Sequence, residues 1–249
     1  MSVDRIRFLG PPPWWIAGPV TDGASGATYT KTSDPAAITP NVSVALDRDR
    51  HLFNGAPSTI LPWIEALDPQ RGERAFHAGC GSGYYTAILA ELAGDDVIGV
   101  DIDESLCEIA SDLLPDLRIV NADATTFDPG AFDVALCNAG LGTIPELWLM
   151  RMNPRGGRLV VPIAAPMLRS PLAKAIVFLI SRDGDAYDAR MIGGAIIYGA
   201  IGDASPRANI DHGDPHAVRS LRRDPHRADE TCWLHQEKIC FSARSRSAA

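Results

Sequence analysis

The stretch "RAFHAGCGSGYYTAILAELAG", Arg74 to Gly94, decides the fold. It opens as a short apolar strand, "ERAFHAG" from Glu73, and runs into three alternating glycines, Gly79, Gly81 and Gly83. Glycine takes backbone angles closed to other residues and lets a ligand approach the main chain. The remainder, "SGYYTAILAELAG", reads as a helix, with Ala87, Leu89, Ala90 and Leu92 as helix formers and Gly94 as its stop.

The same alternation continues outward. "DVIGVDI" (96–102) is a second strand and "ESLCEIASDLL" (104–114) a second helix; "LRIVNAD" (117–123) is a third strand. "AFDVALCNAG" (131–140) is a fourth, followed by the helix "PELWLMRM" and the strand "GRLVVPI". Strands alternating with helices predict an α/β fold with a doubly wound, mostly parallel sheet. Beyond it, "KAIVFLISRDGDAYDARMIGGAIIYGAIG" (174–202) has β-rich runs around Arg182–Asp185, an antiparallel hairpin at the C-terminal edge. Upstream, "PSTILPWIEALD" places Ile60, Leu61, Ile64 and Leu67 at helical spacing, with Pro62 suited to a first turn.

Three regions follow. Residues 1–53 form an irregular arm rich in Pro, Gly, Ser, Thr and Asp, pinned to the body by Trp14 and Trp15. Residues 54–202 form the α/β domain, and 203–249 an extension with short strands and a disordered end. His212, His216 and His226 lie in that polar extension as surface residues, and its arginines 219, 222, 223 and 227 alternate with acids as a solvated face.

In a parallel sheet, ligands sit beyond the carboxyl ends of the strands, where strand order reverses. A dinucleotide fingerprint needs its third glycine at the sixth position, which here is Tyr84. The third glycine stands at the fifth, a spacing common in S-adenosylmethionine methyltransferases and suited to a ligand without phosphate. Asp101 ends the second strand, where a carboxylate accepts from two ribose hydroxyls. Asp123 ends the third, in reach of an adenine amino group. Asn138 ends the fourth, beside the reacting methyl. The expected cofactor is therefore S-adenosylmethionine, held by Gly79, Cys80, Gly81, Ser82, Gly83, Asp101, Ile102, Asp123, Ala124 and Asn138.

With these residues assembled, the chain resembles the protein-L-isoaspartate O-methyltransferase family from about Asn54 to Gly202. The family's "GSGY" is Gly81 to Tyr84, and "APSTILPWIEAL" and "NAGLGTIPELWLMRMNPRGGRLVVPI" match its first helix and its fourth-strand region. The resemblance implies methyl transfer to a carboxylate of a peptide or protein. The chain departs from the family near the chemistry. "FNGAP" puts Asn54 and Gly55 where the family has Ile-Ser before the proline, here Pro57. His77-Ala78 replaces Glu-Ile, and Asn138-Ala139-Gly140 replaces Thr-Ala-Ala. Loss of the serine leaves two alternatives open: an acceptor that is a small molecule or natural-product peptide, and a non-catalytic module that binds the cofactor.

No catalytic residue stands out. Asn54, Gly55, Pro57 and His51 are the substrate-side candidates. Asp47, Asp49 and His51 could supply a base, although "LDRDRH" reads equally as a solvated turn; His77 reads as a satisfied core histidine. A carboxylate acceptor is already ionised near neutral pH and needs no base.

The chain has 249 residues, 46% of them hydrophobic, and a formal net charge of −8. That charge argues against nucleic acid and anionic membrane as partners. No apolar run has membrane-spanning length, and "MSVDRIRFLGPPPWWIAGPV" lacks the order of a signal peptide, so the expectation is a cytoplasmic protein. The five cysteines, odd in number and irregular in spacing, read as free thiols. No metal is expected: "CWLHQEKIC" (232–240) has no second ligand pair at zinc-finger spacing.

Overall fold

The computed structural model describes residues 3–18, 28–167, 172–200, 210, 213–223 and 227–245. His212, His226 and the last four residues lie outside them. In chain order the elements are β1 (Trp14–Ala17), β2 (Tyr29–Thr32), β3 (Ser43–Asp47), β4 (Leu52–Asn54), α1 (Pro57–Leu67), β5 (Ala75–Ala78), α2 (Tyr84–Ala93), β6 (Val97–Asp101) and α3 (Glu104–Leu113). There follow β7 (Arg118–Asn121), β8 (Val134–Cys137), α4 (Glu146–Arg151), β9 (Arg155–Pro166), β10 (Leu172–Asp183), β11 (Ala186–Tyr198), β12 (Ser220–Arg222), β13 (Cys232–His235) and β14 (Cys240–Ser242).

The main sheet runs β13-β14-β12-β11-β10-β9-β8-β5-β6-β7. Strands β9, β8, β5, β6 and β7 pair in parallel, and the rest antiparallel. The chain winds outward from β5 to β7, then returns to place β8 on the other side of β5. The strand order therefore reverses between β5 and β8, where Gly79 and Asn138 follow their strands. The expected hairpin is β10–β11, seated on β9, and β12 to β14 carry the sheet past it.

Burial on both faces explains the apolar character of the central strands. In β8, Val134 and Leu136 face α1 and α2, packing with Trp63, Ile64, Ile88 and Leu89. Ala135 and Cys137 face α4, packing with Trp148 and Leu149. Every other residue thus belongs to the opposite layer, as the period of a strand requires.

Two expectations need correcting. Helix α1 begins at Pro57, and Pro62 lies inside it rather than in the first turn. Proline fits the first helical position because its missing N–H has no partner there; within the helix it removes a bond. The tryptophans do not pin the arm to the body. Trp14 fills a separate small core with Leu9 and Val44, and Trp15 lies under Lys31 and Arg48. They hold together a four-stranded antiparallel sheet, β2-β1-β3-β4, that occupies most of the arm. Attachment to the body comes from Phe8, which joins the α1–α2 core against Tyr84, and from Arg5.

Candidate active site

The carboxyl ends of the parallel strands lie level, because the register pairs Ala78 with both Val100 and Cys137, and Asp101 with Asn121. Above them opens a cavity of about 860 Å³, within the range of small-molecule sites. Gly79, Cys80, Gly81, Ser82, Asp101, Ile102, Asp123, Ala124 and Asn138 line it from the ends of the parallel strands. His51, Phe53, Asn54, Gly55, Ile197 and Tyr198 line it from the arm, the link to α1 and β11.

The glycine turn is clamped to Asp101. The Gly81 N–H donates to Asp101 Oδ2 at 2.7 Å, and the Asp103 N–H donates to Oδ1 at 3.0 Å. Burial raises the Asp101 pKa above its ordinary value, and the backbone donors of Asp103 and Gly81 act against that shift. Asp123 accepts from the Thr125 N–H and hydroxyl, at 2.9 and 2.7 Å, both on Oδ1. Ile102 stays 41% exposed where it meets the cavity, an apolar side chain that lacks cover.

Gly83 departs from its expected role. It is not among the residues lining the cavity; it caps α2 with a φ of +95°, and a Cβ there would stand 2.8 Å from Leu114 Cδ1. Close packing of α3 on the turn requires this glycine. Gly83→Ala is expected to cost on the order of 2 kcal/mol, from left-handed strain plus overpacking. Calorimetry should then show a melting temperature lower by roughly 4–8 °C; an unchanged value would refute this account. The Ser82 hydroxyl likewise faces the arm, donating to the Phe8 carbonyl at 2.6 Å.

His77 is wholly buried, and burial pushes its pKa down to about 3, so the ring is neutral at physiological pH. Its Nδ1 lies 2.8 Å from Thr86 Oγ1 and its Nε2 lies 3.0 Å from Asn138 Nδ2. An amide N–H donates to Nε2, which leaves Nδ1 protonated and donating to Thr86. His77 is thus a satisfied core histidine, as expected, and also the residue that orients Asn138. The Asn138 Oδ1 is buried with no partner among the described residues. A buried acceptor without a donor costs about 1–3 kcal/mol, which a ligand N–H or O–H can recover. His77 and Asn138, two departures from the family pattern noted above, therefore touch.

Part of the lining is aromatic. His51 stacks on Tyr198 at 5.4 Å, Phe53 on Tyr198 at 4.9 Å, and Tyr29 on Phe53 at 6.1 Å. Asn54 and Gly55 border the cavity, but Asn54 Oδ1 accepts from Arg5 Nε at 2.7 Å and the Gly55 carbonyl accepts from Tyr85 at 2.6 Å. Pro57 stands at the helix start and is not among the lining residues. Asp47 and Asp49 are not among them either: Asp47 pairs with Arg50, whose hydrogen bond lowers its pKa, and Asp49 pairs with Arg48 in the exposed turn. The candidate bases thus reduce to His51. Sequence reasoning missed Tyr198, Phe53 and Arg5; the first two meet only when the arm sheet folds against the hairpin.

S-adenosylmethionine would bring a ribose diol to Asp101, a flat ring to Ile102 and, in its ammonium and amino groups, N–H donors for acceptors such as Asn138 Oδ1. The donor set fits that cofactor.

Comparison with known proteins agrees. The family model for protein-L-isoaspartate(D-aspartate) O-methyltransferase matches residues 51–175. A protein-L-isoaspartate O-methyltransferase of Methylorubrum extorquens is 32% identical over 180 residues, 70% of this chain and 71% of that protein. Protein-L-isoaspartate O-methyltransferase 2 of Shewanella sediminis is 30% identical over 155 residues, 59% of this chain. The chain spans 61% of the length of the Shewanella protein. A solved structure titled protein-L-isoaspartate O-methyltransferase superposes with a TM-score of 0.56 at 23% identity, covering 64% of this chain and 51% of that one, and shares its fold.

Proposed function

Since this chain belongs to the protein-L-isoaspartate O-methyltransferase family, we propose that it transfers a methyl group from S-adenosylmethionine to a carboxylate of a peptide or protein, isoaspartyl residues first among them. The observation that carries the reading is one cavity lined both by the strand-end residues Asp101, Asp123 and Asn138 and by the stacked rings of His51, Phe53 and Tyr198. The cofactor supplies a methyl group already activated on a sulfonium. Asp101 takes the ribose hydroxyls, Asp123 the adenine amino group, and Ile102 with Ala124 the faces of the base. Gly79 and Gly81 let the main chain approach.

The acceptor side favours a nucleophile that arrives ionised. Among the described lining residues, the only carboxylates are Asp101 and Asp123, both on the nucleoside side. Burial raises the pKa values of Tyr85 and Tyr198, which keeps both hydroxyls protonated. An isoaspartyl carboxylate needs no base, only alignment and the exclusion of water. The file of rings from His51 to Tyr29 offers flat surface to a peptide. No helix among the described residues is long and apolar enough to cross a membrane; cytoplasmic residence remains part of this proposal.

The test uses methyl-labelled S-adenosylmethionine and an isoaspartyl peptide, with the aspartyl peptide as control. A base-labile methyl ester on the isoaspartyl peptide alone is expected. Protein that binds S-adenosylhomocysteine but forms no ester would overturn the substrate assignment.

A further inference from the structure

The hairpin β13–β14 gathers three soft donors. Cys232 Sγ, the His235 ring nitrogen and Cys240 Sγ all lie within 4.8 Å of one another. Sequence spacing alone argued against a metal here because no second ligand pair follows. The fold supplies the missing proximity through one irregularity. His235 pairs directly with Cys240, and Cys232 pairs with Ser242, two residues further along β14. In an unbroken strand Cys232 and His235 would face opposite sides. The register shifts between Cys232 and Leu234, so Trp233 is an extra residue, and Cys232 turns to the face of His235. Trp233 itself is buried against Phe178 and Phe241, which fixes the bulge.

We propose that Cys232, His235 and Cys240 form a zinc site, with two thiolates and one imidazole as protein ligands and water in the fourth position. Thiolate and imidazole suit zinc, and three protein ligands with one open position is an established coordination pattern. Tetrahedral bonds of about 2.3 Å to sulfur and 2.0 Å to nitrogen place donors roughly 3.5–3.8 Å apart. The observed cluster needs to contract by about an ångström, within the reach of side-chain rotation. Two thiolates balance the charge of one divalent ion.

Burial depth is graded suitably: Cys240 is buried, Cys232 half-buried and His235 exposed, so the open position faces solvent. Zinc is held by the thiolate form of cysteine, so binding at the site weakens as pH falls. The site would lock a hairpin of three- and four-residue strands, too short to persist alone. That hairpin is tied to the segment between β8 and α4 and to the start of α4. Gln236 Nε2 donates to the Gly142 carbonyl at 2.8 Å, on the segment that follows Asn138, and Lys238 pairs with Glu146 at the start of α4.

The test is titration of the full chain, stripped of metal and kept reduced, with cobalt(II) and then zinc(II). One equivalent of cobalt should produce the near-ultraviolet thiolate-to-cobalt absorption, and zinc should abolish it. Cys232→Ser and Cys240→Ser should each weaken binding at least about 100-fold, and His235→Ala should keep the thiolate band with a changed visible spectrum. Near-ultraviolet circular dichroism of Trp233 reports whether each variant retains the hairpin. Folded wild-type protein without the thiolate band would overturn the proposal, whatever the variants do. So would a Cys232→Ser/Cys240→Ser double variant that binds as tightly as wild type.

Discussion

Asp101→Ala is expected to weaken S-adenosylhomocysteine binding at least about 100-fold, measured by calorimetric titration, while the ligand-free protein melts within a few degrees of wild type. A hydrogen bond to a charged acceptor contributes about 1.5–3 kcal/mol. Two such bonds from a ribose diol exceed the roughly 2.7 kcal/mol that a 100-fold loss represents. The substitution also frees the Gly81 N–H, now held by Asp101 Oδ2 at 2.7 Å, so the turn loses its clamp. Asparagine is no remedy. Both Asp101 oxygens accept from backbone, Oδ1 from Asp103 and Oδ2 from Gly81, and an amide would point its NH₂ at one of those donors.

The modest effect on the empty protein follows from the sign of the pKa shift. Burial is its first cause, and it raises Asp101 above its ordinary value of 3.8. A carboxylate whose folded pKa is raised is held ionised at a cost near neutral pH, and that cost is relieved as pH falls. Alanine removes this cost along with the clamp. For the same reason wild-type affinity should fall as pH is lowered through the raised Asp101 value, at a higher pH than an ordinary carboxylate would give. The residual binding of Asp101→Ala should lack that step. An unchanged dissociation constant for Asp101→Ala would remove Asp101 from the cofactor site.

The place of Asp101, at the end of β6 and against the glycine turn, was legible in the sequence because everything that defines it is local: a strand, its last residue, and a glycine turn about twenty residues earlier. The parallel strands were legible for the same reason, since burial on both faces leaves a continuous apolar run such as "VALC". What escaped are pairings between distant segments. The His77–Asn138 contact joins residues 61 positions apart, and neither residue type announces the other. Gly83 carried the motif but serves the packing of α3, because a sequence pattern does not say which side of a turn a ligand occupies. Proline-rich punctuation made the arm look irregular, although its few apolar residues, Leu9, Trp14 and Val44, suffice for a small core. The Cys232–His235–Cys240 cluster depends on a bulge at Trp233, which no spacing rule encodes.

Arg5→Met is expected to lower the melting temperature by roughly 10 °C and to raise the KM for the methyl acceptor, with the S-adenosylhomocysteine affinity little changed. Arg5 is only 8% exposed, and among the described residues its hydrogen bonds go to no carboxylate. Its guanidinium instead donates to Asn54 Oδ1 at 2.7 Å and to the carbonyls of Val42, Gly55, Thr39 and Asn54 at 2.9 to 3.2 Å. Desolvation lowers its pKa, opposed by Tyr85 and Tyr84, yet a guanidinium stays charged under any working condition. One side chain thus ties together the arm, β4 and the Asn54–Gly55 link that stands where the family serine would be. Methionine leaves these acceptors partly buried and unpaired; at about 1–3 kcal/mol per group, with some recovered by water, a net loss of about 3–4 kcal/mol is reasonable. At roughly 2–4 °C per kcal/mol for a chain of this size, the shift comes to about 10 °C. Arg5→Lys should rescue little, because a single ammonium offers three donors and no planar fork to span acceptors on three segments. The acceptor KM rises because Gly55 and Tyr85, joined at 2.6 Å, border the part of the cavity proposed for the acceptor and lose the anchor behind them. None of Arg5's hydrogen bonds goes to Asp101 or to the glycine turn, which meets the arm through Ser82 and Phe8 instead, so cofactor affinity provides the control. A variant that melts like wild type, or one that loses cofactor and acceptor affinity equally, would show that Arg5 does not position the Asn54–Gly55 link.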